Sequence, residues 1–461
     1  MPGQHLHWGK GLLGKLGWKE AGAGRQLSFL MKAEPQNLQE SVRTSGSASD
    51  DALALKRPLG PWRVLRDRNY SLLFWGQLIS SAGTQMQVVA VAWQVYVLTG
   101  SPVALGAIGL MQAIPRLLFS LVGGVLADVF DRRKMLMIVN LTMMVFSTIL
   151  ALCTHLRVIN VGIIYVVILL SASVSSFEFP TRQAIIPTLV PREQMADALS
   201  LNSVMMQLTF IVGPTAGGFA IAWLGVANTY WFDVISYLVV VGSLFLMQVP
   251  RVPAEKRARA SFGALADGIG FLREHPVILA VLALDFCANF FGSPRALLPI
   301  YAQDIMHIGP QGLGILLAAT SIGAVALAPF TGLVARIKRQ GLGVALAVVV
   351  WGLCITAFGL FPNPLWLGVL LLAGSGAADM VSMVLRGIVV QMSTPDEFRG
   401  RISAVNAMFV IGGPMLGQFE SGLVGGLFTP MISVVSGGLA CIAATFLILA
   451  LVPGLARVRV K

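Results

Sequence analysis

Apolar residues in this chain run on for tens of positions at a time, and polar residues gather in short breaks between the runs. A helix needs about 20 apolar residues to cross the roughly 30 Å hydrocarbon layer of a bilayer. Twelve stretches of that kind occur, at 70–98, 103–127, 134–155, 160–180, 197–224, 229–249, 277–302, 310–335, 341–361, 365–392, 401–428 and 430–452. Several hold Gly or Pro, which membrane helices tolerate where neighbours satisfy the freed backbone groups. The pattern predicts an all-α membrane protein with 12 transmembrane helices.

The breaks alternate in charge. Basic residues fall in the N-terminal tail, at Arg132, Arg133 and Lys134, in the turn with Arg182 and Arg192, in the central segment, at Arg336, Lys338 and Arg339, at Arg399 and Arg401, and in the C-terminal tail. Each is an even-numbered connection or a terminus. Of the opposite turns, only the one after the third helix carries a clear basic residue, Arg157. Basic loops stay on the cytoplasmic side, so both termini are expected there, with the protein in a cell inner (plasma) membrane.

A second regularity is internal. Arg132 and Lys134 recur as Arg336 and Lys338, Pro191 as Pro395, Glu193 as Glu397 and Asn202 as Asn406, all at an offset of 204. Landmarks that share one offset predict two parallel repeats related by a pseudo-two-fold axis along the membrane normal. The expected organisation is a basic cytoplasmic tail over 1–62, a six-helix bundle over 63–249, a cytoplasmic loop over 250–276, a second bundle over 277–453 and a tail over 454–461. Within the loop, Phe262, Leu265, Ile269 and Leu272 have the spacing of a short helix lying on the membrane surface.

Composition narrows the class further. Of 461 residues, 56% are hydrophobic and 12% charged, more apolar surface than a soluble chain of this length can hide. The net charge of +12 follows from orientation, because it is spread over many short turns and forms no continuous face for nucleic acid. Cys153, Cys287, Cys354 and Cys441 each stand alone inside a predicted helix, without metal-ligand spacing, and the five His are scattered. No metal, cofactor or enzyme chemistry is expected. Gly9 to Lys15 approximates a phosphate-binding loop, but Leu16 stands where Ser or Thr would hold magnesium and no strand precedes it. The segment from His7 to Lys32 reads either as a basic interfacial helix or as an extension ahead of a start at Met31.

The hinge Gly124-Val-Leu-Ala-Asp-Val-Phe-Asp-Arg-Arg-Lys134, the repeat and the twelve helices resemble the major facilitator superfamily over about residues 65 to 455. Within it, Asp131-Arg132-Arg133, the run Phe179-Pro-Thr-Arg-Gln-Ala184 followed by Pro187 and Val190-Pro-Arg-Glu193, and Gly400-Arg-Ile-Ser403 resemble the third drug:proton antiporter subfamily, which includes macrolide effluxers and enterobactin exporters. The hinge has Asp131 where the superfamily favours Gly and Val129 where it favours a basic residue. The resemblance implies a monomeric secondary transporter that works by alternating access, exporting a small amphipathic compound in exchange for protons. The compound is drug- or macrolide-like, or a siderophore. A lysophospholipid flippase and a nutrient importer are the alternatives.

Candidate functional residues follow from charge and position. Asp128 at the end of the second helix is placed to accept from the amides of a neighbouring helix start. Arg132 or Arg133 is expected to pair with Glu178 or Asp131, in bonds that break when the halves rock. Ile211-Val-Gly-Pro-Thr-Ala-Gly-Gly218 gathers Gly213, Pro214, Gly217 and Gly218, which serve close packing; in the resembling exporters a Gly-Pro-x-x-Gly-Gly element here accompanies antiport. Ionisable residues within the membrane are functional candidates by default. Asp285, about eight residues or 12 Å into the seventh helix, shares a face with Asn289 and Ser293 and is expected to act as a lone proton-carrying carboxylate. Asp379 and Glu420 follow the same logic. Arg116, near mid-depth, is expected to anchor an anionic substrate or to neutralise Asp285, Asp379 or Glu420. Asp233 and Arg295 are expected close enough to the outer face to reach water. In the first helix Gln77, Ser81, Thr84 and Gln85 form a stripe expected to be wet or substrate-lined.

Overall fold

The computed structural model describes residues 61–129, 131–248 and 270–458. The readings of the N-terminal tail and of Phe262, Leu265 and Ile269, and the side chain of Asp128, lie outside the described residues.

Every predicted stretch forms helix. In chain order these are α1 (Arg68–Thr99), α2 (Pro102–Val129), α3 (Arg132–His155), α4 (Val161–Ser175), α5 (Glu178–Leu189), α6 (Met195–Leu224), α7 (Val226–Leu246), α8 (Pro276–Phe291), α9 (Gly309–Leu327), α10 (Gln340–Leu360), α11 (Leu365–Ser393), α12 (Arg399–Leu427) and α13 (Pro430–Leu451). Among the described residues ten spans are long and apolar enough to cross a membrane by length and composition alone. The other two have distinct reasons for falling short. α1 carries Gln77, Ser80, Ser81, Thr84, Gln85, Gln87 and Gln94, which dilute its apolarity. The seventh stretch breaks, because Gly292 and Pro294 follow α8 and the chain resumes only as a short turn at Leu298–Ile300 and a π turn at Tyr301–Ile305.

The ends are set by local chemistry. Asp67 accepts from the amide of Tyr70 at 2.9 Å, Asn160 from Ile163 at 2.9 Å and Thr429 from Ile432 at 3.1 Å, each satisfying a donor left open at a helix start. Asp131 caps α3 through the amides of Arg133 and Lys134, at 3.0 and 3.1 Å. Asp131→Ala is therefore expected to cost about 1 kcal/mol of stability, read as a lowered thermal midpoint of the purified protein.

The fourth span differs from its expected 160–180 bounds. α4 stops where Ser175 and Ser176 turn their hydroxyls back onto the Ala172 carbonyl, and α5 then carries the span on to Leu189. Arg182, expected in a turn, is consequently inside a helix and 7% exposed.

The helices before residue 249 and those after 270 pack both within each set and against one another. α1 lies against α6 and α7, and α3 against α7; α10 lies against α11 and α13, α9 against α11, and α8 against α12. The sets meet along two seams, α2 on α12 and α6 on α9. Each seam depends on missing side chains. A Cβ on Gly218 would strike the Pro310 carbonyl and stand 3.0 Å from Gly314 Cα; a Cβ on Gly422 would stand 2.5 Å from Gly106 Cα and 2.6 Å from the Pro102 carbonyl oxygen. Gly218 and Gly422 share the offset of 204, and each faces a Pro-x-x-x-Gly at a helix start, so the seams are pseudo-two-fold copies. These backbone approaches lie in the half of each helix remote from the basic turns. At that same end the Tyr96 hydroxyl donates to Asp304 Oδ1 at 2.5 Å, joining the first set to the second.

The polar stripe of α1 is split between two environments. Thr84 bonds the Tyr237 hydroxyl at 3.0 Å, Gln87 donates to Ser147 at 2.8 Å, and Gln94 meets both Thr154 and Tyr230. Ser147 in turn donates to Asp233 Oδ2 at 2.6 Å. Asp233 is fully buried, contrary to the expectation that it reaches water, because α1, α3 and α7 close over it and supply hydroxyl donors instead.

Candidate functional site

Two groups of charged side chains stand inside the bundle among the described residues, one in each half. In the first half, Gln77 on α1 donates through Nε2 to Glu178 Oε1 of α5 at 2.9 Å and to Ser81 Oγ at 3.2 Å. Glu178 lies within electrostatic reach of both Arg116 on α2 and Arg182, four residues along its own helix. The Arg182 guanidinium carbon stands 5.8 Å from the Phe179 ring centroid, and NH2 is 3.9 Å from Met206 Sδ. Arg182 Nε is buried without a hydrogen-bond partner among the described residues. Beside it is a small recess lined by Tyr70, Phe74, Gln77, Arg182, Asn202 and Met205 among others.

In the second half, Asp285 on α8 forms an ion pair with Arg386 on α11, the two side chains 3% and 9% exposed. Asn289 donates from Nδ2 to Asp285 Oδ1 at 3.2 Å and to its carbonyl at 3.0 Å. Asp285 is thus not the lone carboxylate expected. Its partner is 101 residues away in sequence and comes beside it only when α11 packs near α8. Asp379 on α11 and Glu420 on α12 are partly buried and have no ion-pair partner among the described residues. The rings of Phe286, Phe290 and Phe409 stack and cross at 5.5 and 5.6 Å next to Asn289. Arg295 lies in the break after α8 and is partly buried.

The hinge is bonded differently from expectation. Arg132 donates to the Ala184 carbonyl at 2.6 Å, and Arg133 to the carbonyls of Leu244 and Phe245, both at 2.7 Å. Neither is paired with Glu178 or with Asp131, which caps its own helix. The last carbonyls of α7 lack intrahelical donors, and a guanidinium at that end answers both the open acceptors and the negative end of the helix dipole. Gly124 lies within α2.

Gly213 and Gly217 face α1: a Cβ on Gly213 would meet Gln85 Cβ at 2.5 Å, and one on Gly217 would meet Met86 Cα at 2.9 Å. Pro214 lies within α6 beside them, and Gly218 on the other side faces α9. The element therefore serves packing on two fronts at once. Sequence reasoning missed Arg386 as the partner of Asp285, and Tyr96 with Asp304. Arg386 carried a signal, since it stands at the repeat offset from Arg182.

Comparison with known proteins is consistent with this geometry. Residues 59–459 match the family model of transmembrane secretion effectors, MFS_3. The enterobactin exporter EntS of Citrobacter koseri is 27% identical over 392 residues, covering 85% of this chain and 93% of that protein. EntS of Shigella boydii serotype 18 is 28% identical over the same coverage. Among solved structures, the nucleoside transporter NupG superposes with a TM-score of 0.67 at 14% identity, over 83% of this chain and 98% of that one. A bacterial homologue of the iron transporter ferroportin in its inward-facing state gives 0.61 at 14% identity, over 84% and 98%. The match along nearly the whole chain, together with a repeated helical fold whose halves meet at paired glycine seams, makes this chain a multi-pass membrane protein of the transmembrane secretion effector family, within the major facilitator superfamily of transporters.

Proposed function

We propose that the protein exports a small amphipathic compound across a cell inner membrane by alternating access, driven by inward movement of protons. The observation that carries this reading is the pair of symmetric seams. At these glycines the halves approach backbone to backbone toward the end remote from the basic turns, as they must in one of two states that interconvert by rocking. With the basic turns and both termini on the cytoplasmic side, that end is external, and this conformation opens inward. The rocking bodies are the bundles over 63–249 and 277–453, acting in a monomer.

Proton coupling is assigned to Asp379, with Glu420 as the second carboxylate. Asp379 lies about 21 Å along α11 from its external end, close to mid-depth, and has no ion-pair partner among the described residues. A carboxylate in that position can be protonated from outside and deprotonated inside as the halves rock. The relatives' name favours a siderophore-like compound over a cationic drug, and Arg116, Arg182 and Arg295 supply the cationic groups an acidic compound needs.

The test uses inverted membrane vesicles with an imposed pH gradient and a panel of macrolides, dyes and catecholate siderophores. Asp379→Asn is expected to lower gradient-driven accumulation at least tenfold while leaving substrate-for-substrate exchange intact, since exchange needs no proton cycle. Accumulation unaffected in both Asp379→Asn and Glu420→Gln refutes the assignment.

A further inference from the structure

The repeat offset of 204 does more than relate landmarks, because it superimposes two charge sites and leaves one incomplete. It carries Arg182 onto Arg386, Gln85 onto Asn289 and Ser81 onto Asp285. In the second half the cation is answered from the first helix of that half, by Asp285 with Asn289 bracing it. In the first half the equivalent position is Ser81, which has no charge to give.

No ion pair to Arg182 is found among the described residues. Glu178 accepts from Gln77 and lies within electrostatic reach of both Arg116 and Arg182, so one carboxylate is divided between two guanidiniums. Arg182 is 7% exposed, its Nε has no partner among the described residues, and its NH2 touches a thioether, a weak acceptor, at 3.9 Å. A buried guanidinium whose Nε lacks a hydrogen-bond partner is costly. The recess beside Arg182 combines amide groups from Gln77 and Asn202 with apolar walls from Phe74 and Met205.

From this asymmetry we infer that Arg182 and its recess form the anion subsite of the transported compound, receiving a carboxylate attached to an aromatic or other flat apolar group. Planar guanidinium donors match a carboxylate, the amides of Gln77 and Asn202 complete its hydrogen bonds, and the apolar walls cover the adjoining ring. The bound acid takes the place that Asp285 holds in the other half. This subsite rests on the reading of the chain as an exporter of an amphipathic compound and specifies the charge of that compound.

The test is equilibrium binding to the full-length protein in phosphatidylcholine nanodiscs, where no anionic lipid competes, with benzoate and its uncharged analogue benzamide as probes. The wild-type protein is expected to bind benzoate at least tenfold more tightly than benzamide. Arg182→Gln should erase that preference and Arg182→Lys should keep part of it. Ser81→Asp, which rebuilds in the first half the pair seen in the second, should abolish benzoate binding while leaving the thermal midpoint equal or higher. That response is not expected of a merely structural arginine. Failure of wild-type protein to prefer benzoate, or a preference that survives Ser81→Asp, overturns the assignment. Because binding is measured without a gradient, the subsite stands or falls separately from proton-driven export.

Discussion

Gly218→Leu is expected to reduce transport to background while leaving a folded protein. The leucine side chain would occupy space held by the Pro310 carbonyl and the Gly314 backbone, which belong to the other half and have no rotamer through which to yield. The halves are then held apart at the external end, and a transporter that cannot close there cannot complete a cycle. Gly422→Leu should behave alike against Gly106 and the Pro102 carbonyl. Gly213→Leu is the informative contrast, because its obstacle lies within one half, against Gln85 and the Ala82 carbonyl. It should lower stability by about 1–3 kcal/mol as an overpacked core does. Thermal unfolding, with labelling of a cysteine introduced at Ser101, separates the two: Gly218→Leu should label faster at an unchanged midpoint, and Gly213→Leu should show the reverse. Wild-type transport in Gly218→Leu would remove the seams from the mechanism.

The second large effect concerns the ion pair in the other half. Asp285→Asn leaves Arg386 buried and uncompensated, a change that costs about 3–5 kcal/mol when one partner of a buried pair is removed. Arg386→Gln should be comparably damaging. The double variant Asp285→Asn with Arg386→Gln should regain most of the loss, because neither charge then remains to be answered. Measured as a double-mutant cycle by unfolding of the purified protein, strong coupling is the expected result. Additive losses would mean that the two residues do not act as a pair.

What the sequence made legible was the part governed by local composition. Long apolar runs, basic turns and the shared offset specify a two-fold helical membrane protein, and their positions agree with the helices to within a few residues except where a span breaks. The seventh and fourth spans depart from their expected limits because Gly292 with Pro294, and the serines after Ala172, interrupt the backbone without interrupting the hydropathy. Partner choice was less legible. Arg133 reaches carbonyls 111 and 112 residues away, and Tyr96 bonds Asp304 across a separation of 208. Nothing in the spacing of those residues announces such contacts. The stripe on α1 shows a subtler limit: periodicity placed Gln77, Ser81, Thr84 and Gln85 on one side of the helix, but that side is wide enough to meet two neighbours. Gln77 turns to Glu178 and also donates to Ser81, whereas Thr84 turns to Tyr237.

The repeat offset was the one sequence signal that also reached into the site. At that offset Arg182 and Arg386 are equivalent positions. The structure then added what sequence could not, that only the second of these arginines meets a carboxylate from its own half's first helix.

The central claim, export powered by protons, is tested most directly by substrate uptake into inverted vesicles containing the wild-type protein, with the pH gradient imposed and then collapsed by an ionophore. Accumulation of an acidic amphipathic compound that requires the gradient and stops when it is collapsed is the predicted result. Accumulation at the same rate and extent after collapse, or movement only in the opposite direction, would contradict it.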